Sequence, residues 1–230
     1  MAGNQGMTFV AYESKTDLMA VLAKRVASEL QIATSVLGRA VLSVPGGSTP
    51  APMFDQLCQA DLAWDQVKVM LGDERWVPLE SDRSNTAMIK KHLLVRKAES
   101  AHYVPLYNGA ETAQEGAIGV AATIEDTLPL TVAVLGMGTD MHTASIFPGA
   151  PERAAAQADD APAVVTMTPG DGLEDRITLS ARALLSAARI HVLIVGDDKK
   201  AAYEQALNTP IAQAPIAQFL PRATVHWAPK

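Results

Sequence analysis

The run Gly136-Met137-Gly138-Thr139-Asp140-Met141-His142-Thr143-Ala144-Ser145-Ile146-Phe147-Pro148-Gly149 gathers glycines, a carboxylate, an imidazole and hydroxyls in one short stretch. Glycines at a strand end let the backbone approach a ligand closely. A histidine with an ordinary pKa takes or gives a proton at neutral pH. The stretch therefore reads as a polar-ligand site with a general base, His142, built into it. Asp140 is placed either to orient that imidazole or to bind the turn backbone, and the spacing does not choose between them.

Other motifs carry candidate chemistry. Gly46-Gly47-Ser48-Thr49 can cradle a phosphate with backbone N–H groups and hydroxyls, or can be a plain tight turn with a helix cap. It is neither a P-loop nor a dinucleotide fingerprint. In Asp73-Glu74-Arg75-Trp76, Arg75 can pair with an anion or stabilise an oxyanion, and the carboxylates can orient it or bind substrate hydroxyls. The competing reading is a solvated charge cluster. Ser84-Asn85 is either a helix cap or a pair of sugar-binding donors. Lys199 either reaches a phosphate or faces solvent, and Arg176 is a weaker candidate for anion contact. His92, His102, His191 and His226 have no comparable setting. No His/Asp/Glu spacing suggests a metal, and no Gly-x-Ser-x-Gly elbow occurs.

These motifs need elements to hold them. Strands are expected at 7–11, 40–44, 67–71, 131–135, 163–168, 176–179, 190–195 and 224–227. Leu18, Val21, Leu22, Val26, Leu30, Ala33 and Leu37 recur at helical spacing and mark an amphipathic helix over 17–37. Further helices are expected over 85–94, 111–127, 199–207 and 215–220, and one from a hydroxyl-capped start at Ser48-Thr49-Pro50 to about Ala60. Residues 72–83 read as a polar loop. Residues 151–161 read as a mobile surface excursion and a possible lid. Alternating strands and helices predict an α/β fold, three-layer α/β/α with a mainly parallel Rossmann-like sheet, in one domain spanning 1–230 with residues 1–6 disordered. The polar motifs at 45–50, 72–78, 136–149 and 196–199 all fall at expected strand ends, where such folds bind ligands.

Composition narrows the classes. A hydrophobic share of 48% with 19% charged residues suits a globular protein with a real core. A net charge of −6 speaks against a nucleic-acid partner. The lone cysteine, Cys58, rules out a disulfide within the chain and falls on an apolar helical pattern, so it reads as core. No apolar run approaches the roughly 20 residues that span a bilayer, and the start lacks the pattern of a signal peptide. A cytoplasmic protein with no membrane partner is the expectation.

Taken in order, these motifs resemble the 6-phosphogluconolactonase family. The resemblance runs through Gly46 to Pro50, Asp73-Glu74-Arg75, Ser81 to Asn85, the block from Gly136 to Ser145 with Phe147-Pro148-Gly149, Arg176 to Leu179, Gly196-x-x-Lys199 and a late Pro215 helix. It implies the fold shared with glucosamine-6-phosphate deaminases and ribose-5-phosphate isomerases. It implies hydrolysis of a sugar-phosphate lactone, with His142 as general base on a water, Arg75 stabilising the oxyanion and Asp140 supporting His142. Gly46, Gly47, Ser48, Thr49, Asp73, Asn85, Arg176 and Lys199 would bind substrate and its phosphate. No metal or cofactor is implied, and a monomer or weak homodimer is expected. Two rivals are a deaminase or isomerase of the same fold and a non-catalytic sugar-phosphate-binding regulator. The deaminases carry Asn-Glu where this chain has Ile146-Phe147, and tyrosine where it has Arg75. The family usually has glycine at Met141. If that position needs a positive φ, methionine costs on the order of 1–2 kcal/mol there.

Overall fold

The computed structural model describes residues 7–170 and 172–230; the expectation for residues 1–6 lies outside them. The chain runs β1 (Thr8–Ala11), α1 (Lys15–Leu37), β2 (Ala40–Val44), α2 (Ala51–Leu57), β3 (Val67–Leu71) and β4 (Asp73–Arg75). It continues through α3 (Asn85–His92), β5 (His102–Val104), α4 (Ala113–Thr127), β6 (Val132–Gly136), α5 (Arg153–Ala156) and β7 (Val164–Met167). It ends with β8 (Arg176–Leu179), α6 (Ala181–Leu185), β9 (Arg189–Val195), α7 (Asp197–Ala206) and β10 (Ala223–Ala228). Short 3-10 turns lie between, including Pro215–Gln218 where a helix was expected.

Seven strands form one wholly parallel sheet in the order β1-β10-β9-β6-β2-β3-β5. Helices cover both faces, so its central strands are apolar runs rather than alternating ones. Every residue of β2 is buried, as are Val132 to Leu135 of β6. α1 is capped by Ser14, whose Oγ accepts from Asp17 N at 3.1 Å, and ends at Gly38, which adopts φ 67° and donates to Thr34 O. Its stripe of Leu18, Met19, Leu22, Val26 and Leu30 is buried against the sheet. Cys58 is buried as core.

The strand order reverses between β2 and β6. From β2 the chain builds outward through β3 and β5, then crosses back to β6 and builds the other way through β9 and β10. The carboxyl ends of strands flanking such a reversal leave a crevice that connections do not cover. Gly46 follows β2 and Gly136 ends β6, so both glycine motifs open onto it.

A second sheet, antiparallel in the order β4-β8-β7, stands beside this crevice. It corrects the expected loop at 72–83: Asp73 to Arg75 pair with Thr178 to Arg176. Three consecutive charged residues in a strand only three residues long hide it in a local reading. The segment 151–161 lies at the surface with Pro151, Ala154, Ala155, Asp159 and Asp160 exposed, but it is anchored at points. Ala156 and Ala161 are buried, and Gln157 Nε2 donates to Ile211 O (3.3 Å) and Gln218 Oε1 (3.1 Å). Alanines read as bland in sequence pack closely where a neighbour is available. α2 begins without the expected hydroxyl cap; Pro50 stands at the cap position with no side-chain hydrogen bond.

Candidate active site

The crevice holds a cleft of about 240 Å³. Gly46, Gly47 and Thr49 from the turn after β2 form one wall, Asp73 and Arg75 of β4 with Asn85 of α3 a second, and Gly138, His142 and Lys199 the rest. Ser48 is exposed and off the wall. Asp140 is also off it but touches His142 directly. Arg176 is buried outside the cleft lining, paired across the strands with Arg75.

The loop after β6 is wound tightly. Gly138 N donates to His142 O (2.9 Å) and Met141 N donates to Gly138 O (3.0 Å). Met141 adopts φ 66° and Ala144 φ 49°, so the position where the family usually has glycine does require the left-handed region. The Met141 side chain is buried, and its carbonyl accepts from Ile216 N (3.1 Å). Burial of a side chain of this size offsets strain of that order. A Cβ on Gly138 would stand 2.1 Å from Asp140 Oδ1 and 2.2 Å from His142 Nδ1, so only glycine leaves room for that pair.

Asp140 resolves the choice left open by spacing by doing both things. Its Oδ1 meets His142 Nδ1 at 2.6 Å and accepts from His142 N at 3.3 Å. Burial pushes the Asp140 carboxyl up, but the hydrogen bond and charge of His142 outweigh it and hold the carboxyl below its ordinary value. An ionised carboxylate only accepts, so the shared proton belongs to Nδ1. In the neutral ring Nε2 then carries the lone pair, and among the described residues it has no hydrogen-bond partner. The Phe147 ring lies against the imidazole, with centroids 4.7 Å apart and the planes tilted by 49°.

The opposite wall is cationic. Arg75 Nη1 donates to Arg83 O (2.6 Å). Arg83 and Arg176 both pair with Glu174, and Arg176 Nε is buried without a hydrogen-bond partner among the described residues. Burial, then the neighbouring Arg75 charge, depresses the Arg176 pKa. Asp73 Oδ2 accepts from Ser145 Oγ at 2.5 Å, which ties this wall to the His142 loop. Lys199 Nζ donates to Met137 O (2.7 Å), and burial lowers its pKa. It is therefore a wall residue rather than the solvent-facing lysine of the competing reading. The cap reading of Ser84-Asn85 holds for Ser84, which caps α3, while Asn85 lines the cleft and donates from Nδ2 to Asp73 O (3.0 Å). Of the readings the sequence left open for Glu74, the structure rules out solvated surface: its carboxylate is buried and accepts from the Arg75, Asn85 and Thr86 N–H groups; the Phe147 contact with His142 is new. Strand alternation around Asp73 and Arg75 was the signal that would have found Glu74.

A parallel sheet whose polar loops meet at a strand-order reversal, holding a carboxylate-tethered imidazole opposite an arginine, defines an α/β enzyme with a polar-ligand site. Residues 13–227 match the family model described as glucosamine-6-phosphate isomerases/6-phosphogluconolactonase, and the chain belongs to that family. It is 40% identical over 225 residues to a 6-phosphogluconolactonase of Rhizobium meliloti (strain 1021), covering 95% of this chain and 97% of that one. A 6-phosphogluconolactonase of Mesorhizobium japonicum is 38% identical over 226 residues, covering 95% and 94%. Among solved structures, a 6-phosphogluconolactonase from Shewanella baltica OS155 superposes with a TM-score of 0.94 at 35% identity, covering 98% of this chain and 99% of that one.

Proposed function

We propose that this chain hydrolyses 6-phospho-D-glucono-1,5-lactone to 6-phosphogluconate, in the oxidative branch of the pentose phosphate pathway. The observation that carries the reading is the shared cleft: His142, tethered through Nδ1 to Asp140, faces the same space as Arg75 and the Gly46–Thr49 turn. The relatives named above support the substrate class.

In this scheme His142 Nε2 takes a proton from a water as that water attacks C1 of the lactone. The carbonyl π electrons move onto oxygen, and Arg75 stabilises the resulting oxyanion. Collapse of the tetrahedral intermediate breaks the bond from C1 to the ring oxygen. The imidazolium returns its proton to that oxygen, and the new carboxylic acid ionises. Asp140 holds the reacting tautomer and stabilises the transient imidazolium. The backbone of Gly46, Gly47 and Thr49, with Lys199, receives the 6-phosphate; Ser48 belongs to the same turn, and Arg176 adds its charge from beside Arg75. Asp73 and Asn85 meet the sugar hydroxyls. A lactone is an activated ester, so a base, a water and an oxyanion stabiliser suffice, and no metal enters the scheme. The chain acts as one domain, a cytoplasmic monomer or weak homodimer.

The test is acid release from freshly prepared lactone, measured above the spontaneous rate before and after chelation. Equal turnover after chelation is expected, and loss with the chelator would remove the metal-free scheme. His142→Ala should lower kcat by about 10²- to 10⁴-fold with little change in 6-phosphogluconate affinity. Normal turnover in that variant would overturn the assignment of the base. Ammonia release from glucosamine 6-phosphate would favour the deaminase instead. Against that rival, the ring beside His142 is the apolar Phe147, which offers no carboxylate for sugar ring opening.

A further inference from the structure

Glu74 takes no part in the scheme above, yet it is fully buried, and the residues on either side of it in sequence both line the cleft. Alternation along β4 sends Asp73 and Arg75 to the cleft and Glu74 to the opposite face. There its Oε1 accepts from Arg75 N (2.8 Å) and Asn85 N (2.8 Å). Its Oε2 accepts from Thr86 N (2.7 Å), Thr86 Oγ1 (2.7 Å) and Ser84 Oγ (3.3 Å). Asn85 and Thr86 open α3, and first-turn N–H groups have no partner within their own helix. A carboxylate at that end also meets the favourable end of the helix dipole. One side chain thus fastens β4 to α3, and the two residues sharing Oε1 are both cleft residues. Asn85 in turn packs where a Cβ on Gly46 would lie 2.0 Å from its side chain, so the fastening reaches the glycine turn as well.

We propose that Glu74 is the positioning residue of this site: its carboxylate, accepting from five donors, sets where Arg75 and Asn85 meet the ligand, without itself touching it. The identity of that ligand rests on the lactonase reading. The charge matters because every donor here points at the carboxylate. Glutamine keeps the shape but turns an NH₂ toward N–H and O–H groups that need an acceptor.

Glu74→Gln is expected to lower kcat/KM for the lactone by about tenfold or more, since small displacements of positioned groups carry penalties of that size. It should weaken 6-phosphogluconate binding in calorimetry as well. In an Arg75→Ala/Asn85→Ala background the same change should cost less than about threefold, because its effect runs through those residues. A purely structural role would lower the melting temperature and leave the folded enzyme with unchanged kcat, KM and affinity, or would give a full additive loss in the double background. Either result overturns the proposal. If Glu74→Gln does not fold, Thr86→Val removes one donor and keeps the charge; it should show a smaller loss, about two- to fivefold, that vanishes in the same background. Turnover by the wild type tests the lactonase reading separately. A wild type that binds 6-phosphogluconate without hydrolysing lactone sinks that reading, while a Glu74-dependent affinity still supports the positioning role. A wild type silent in both assays overturns both.

Discussion

At the residue scale the loop after β6 concentrates the demands of the site. Gly138 admits the Asp140–His142 pair, and Met141 is held in a conformation that glycine adopts without strain. Two costs compete at Met141. Removing the buried side chain costs about 2–5 kcal/mol, whereas releasing the left-handed strain returns roughly 1–2 kcal/mol. Both Met141→Ala and Met141→Gly lose the burial, but only glycine relieves the strain. The added backbone entropy of an unfolded glycine takes back some of that gain. Met141→Gly should therefore be more stable than Met141→Ala by about 1 kcal/mol, read from denaturant midpoints. The reverse order would mean that the backbone at 141 is not strained.

At the element scale β4 carries the site although it is the shortest kind of strand. It is held from its far face by Glu74 and just beyond its end by Trp76, whose Nε1 donates to Ala110 O (3.2 Å) and whose ring meets Tyr107 at 4.7 Å. Trp76 also packs on α4 at Gly116, where an added Cβ would stand 1.9 Å from the indole. Gly116→Ala gains about 1 kcal/mol of helix propensity and loses about 1–3 kcal/mol to overpacking. Net destabilisation is expected, together with lower lactone turnover as Trp76 moves and carries β4 with it. A rise in melting temperature with full activity would show that Trp76 does not brace the strand.

At the scale of the whole molecule a buried polar chain links the far edge of the sheet to α1. Tyr12 Oη meets His226 Nδ1 at 2.7 Å, His226 Nε2 meets His191 Nδ1 at 3.1 Å, and His191 Nε2 meets Glu29 Oε2 at 2.8 Å. Burial first, then the neighbouring His191 and Arg25, push the His226 pKa down to about 3. In the unfolded chain it returns to about 6.5. Between those values the unfolded state binds the extra proton, so stability is fully present above pH 6.5 and falls as the pH drops toward 3. The limiting slope is about 1.4 kcal/mol per pH unit for this one group. Urea midpoints taken from pH 7 to pH 4 should fall in the wild type and fall less steeply in His226→Gln. Parallel slopes would remove His226 as the cause. The chain lies away from the cleft, so its acid sensitivity is a property of the fold rather than of catalysis.

Sequence by itself determined the parts that depend on near neighbours along the chain. Apolar runs at 40–44 and 67–71 became strands over the same residues, and the 3.6-residue stripe of α1 was readable because burial on one face dictates the residue types. The chemistry-bearing residues His142, Asp140 and Arg75 were legible because glycines and polar groups at strand ends are unusual unless a ligand approaches. Only the tertiary structure decided what comes from far along the chain. The order of strands placed the β2 and β6 loops at one reversal, and pairing with β8 turned a polar stretch into β4. Glu74 shows why: a carboxylate between two charged neighbours reads equally as solvated surface or as a partner of Arg75 until α3, beginning eleven residues later, presents its unpaired N–H groups to it. Local pattern sets which groups exist and which face they take. Burial and hydrogen-bond partners are set by distant segments, and in this protein they separate the residues that line the cleft from the buried carboxylate bonded to their backbone.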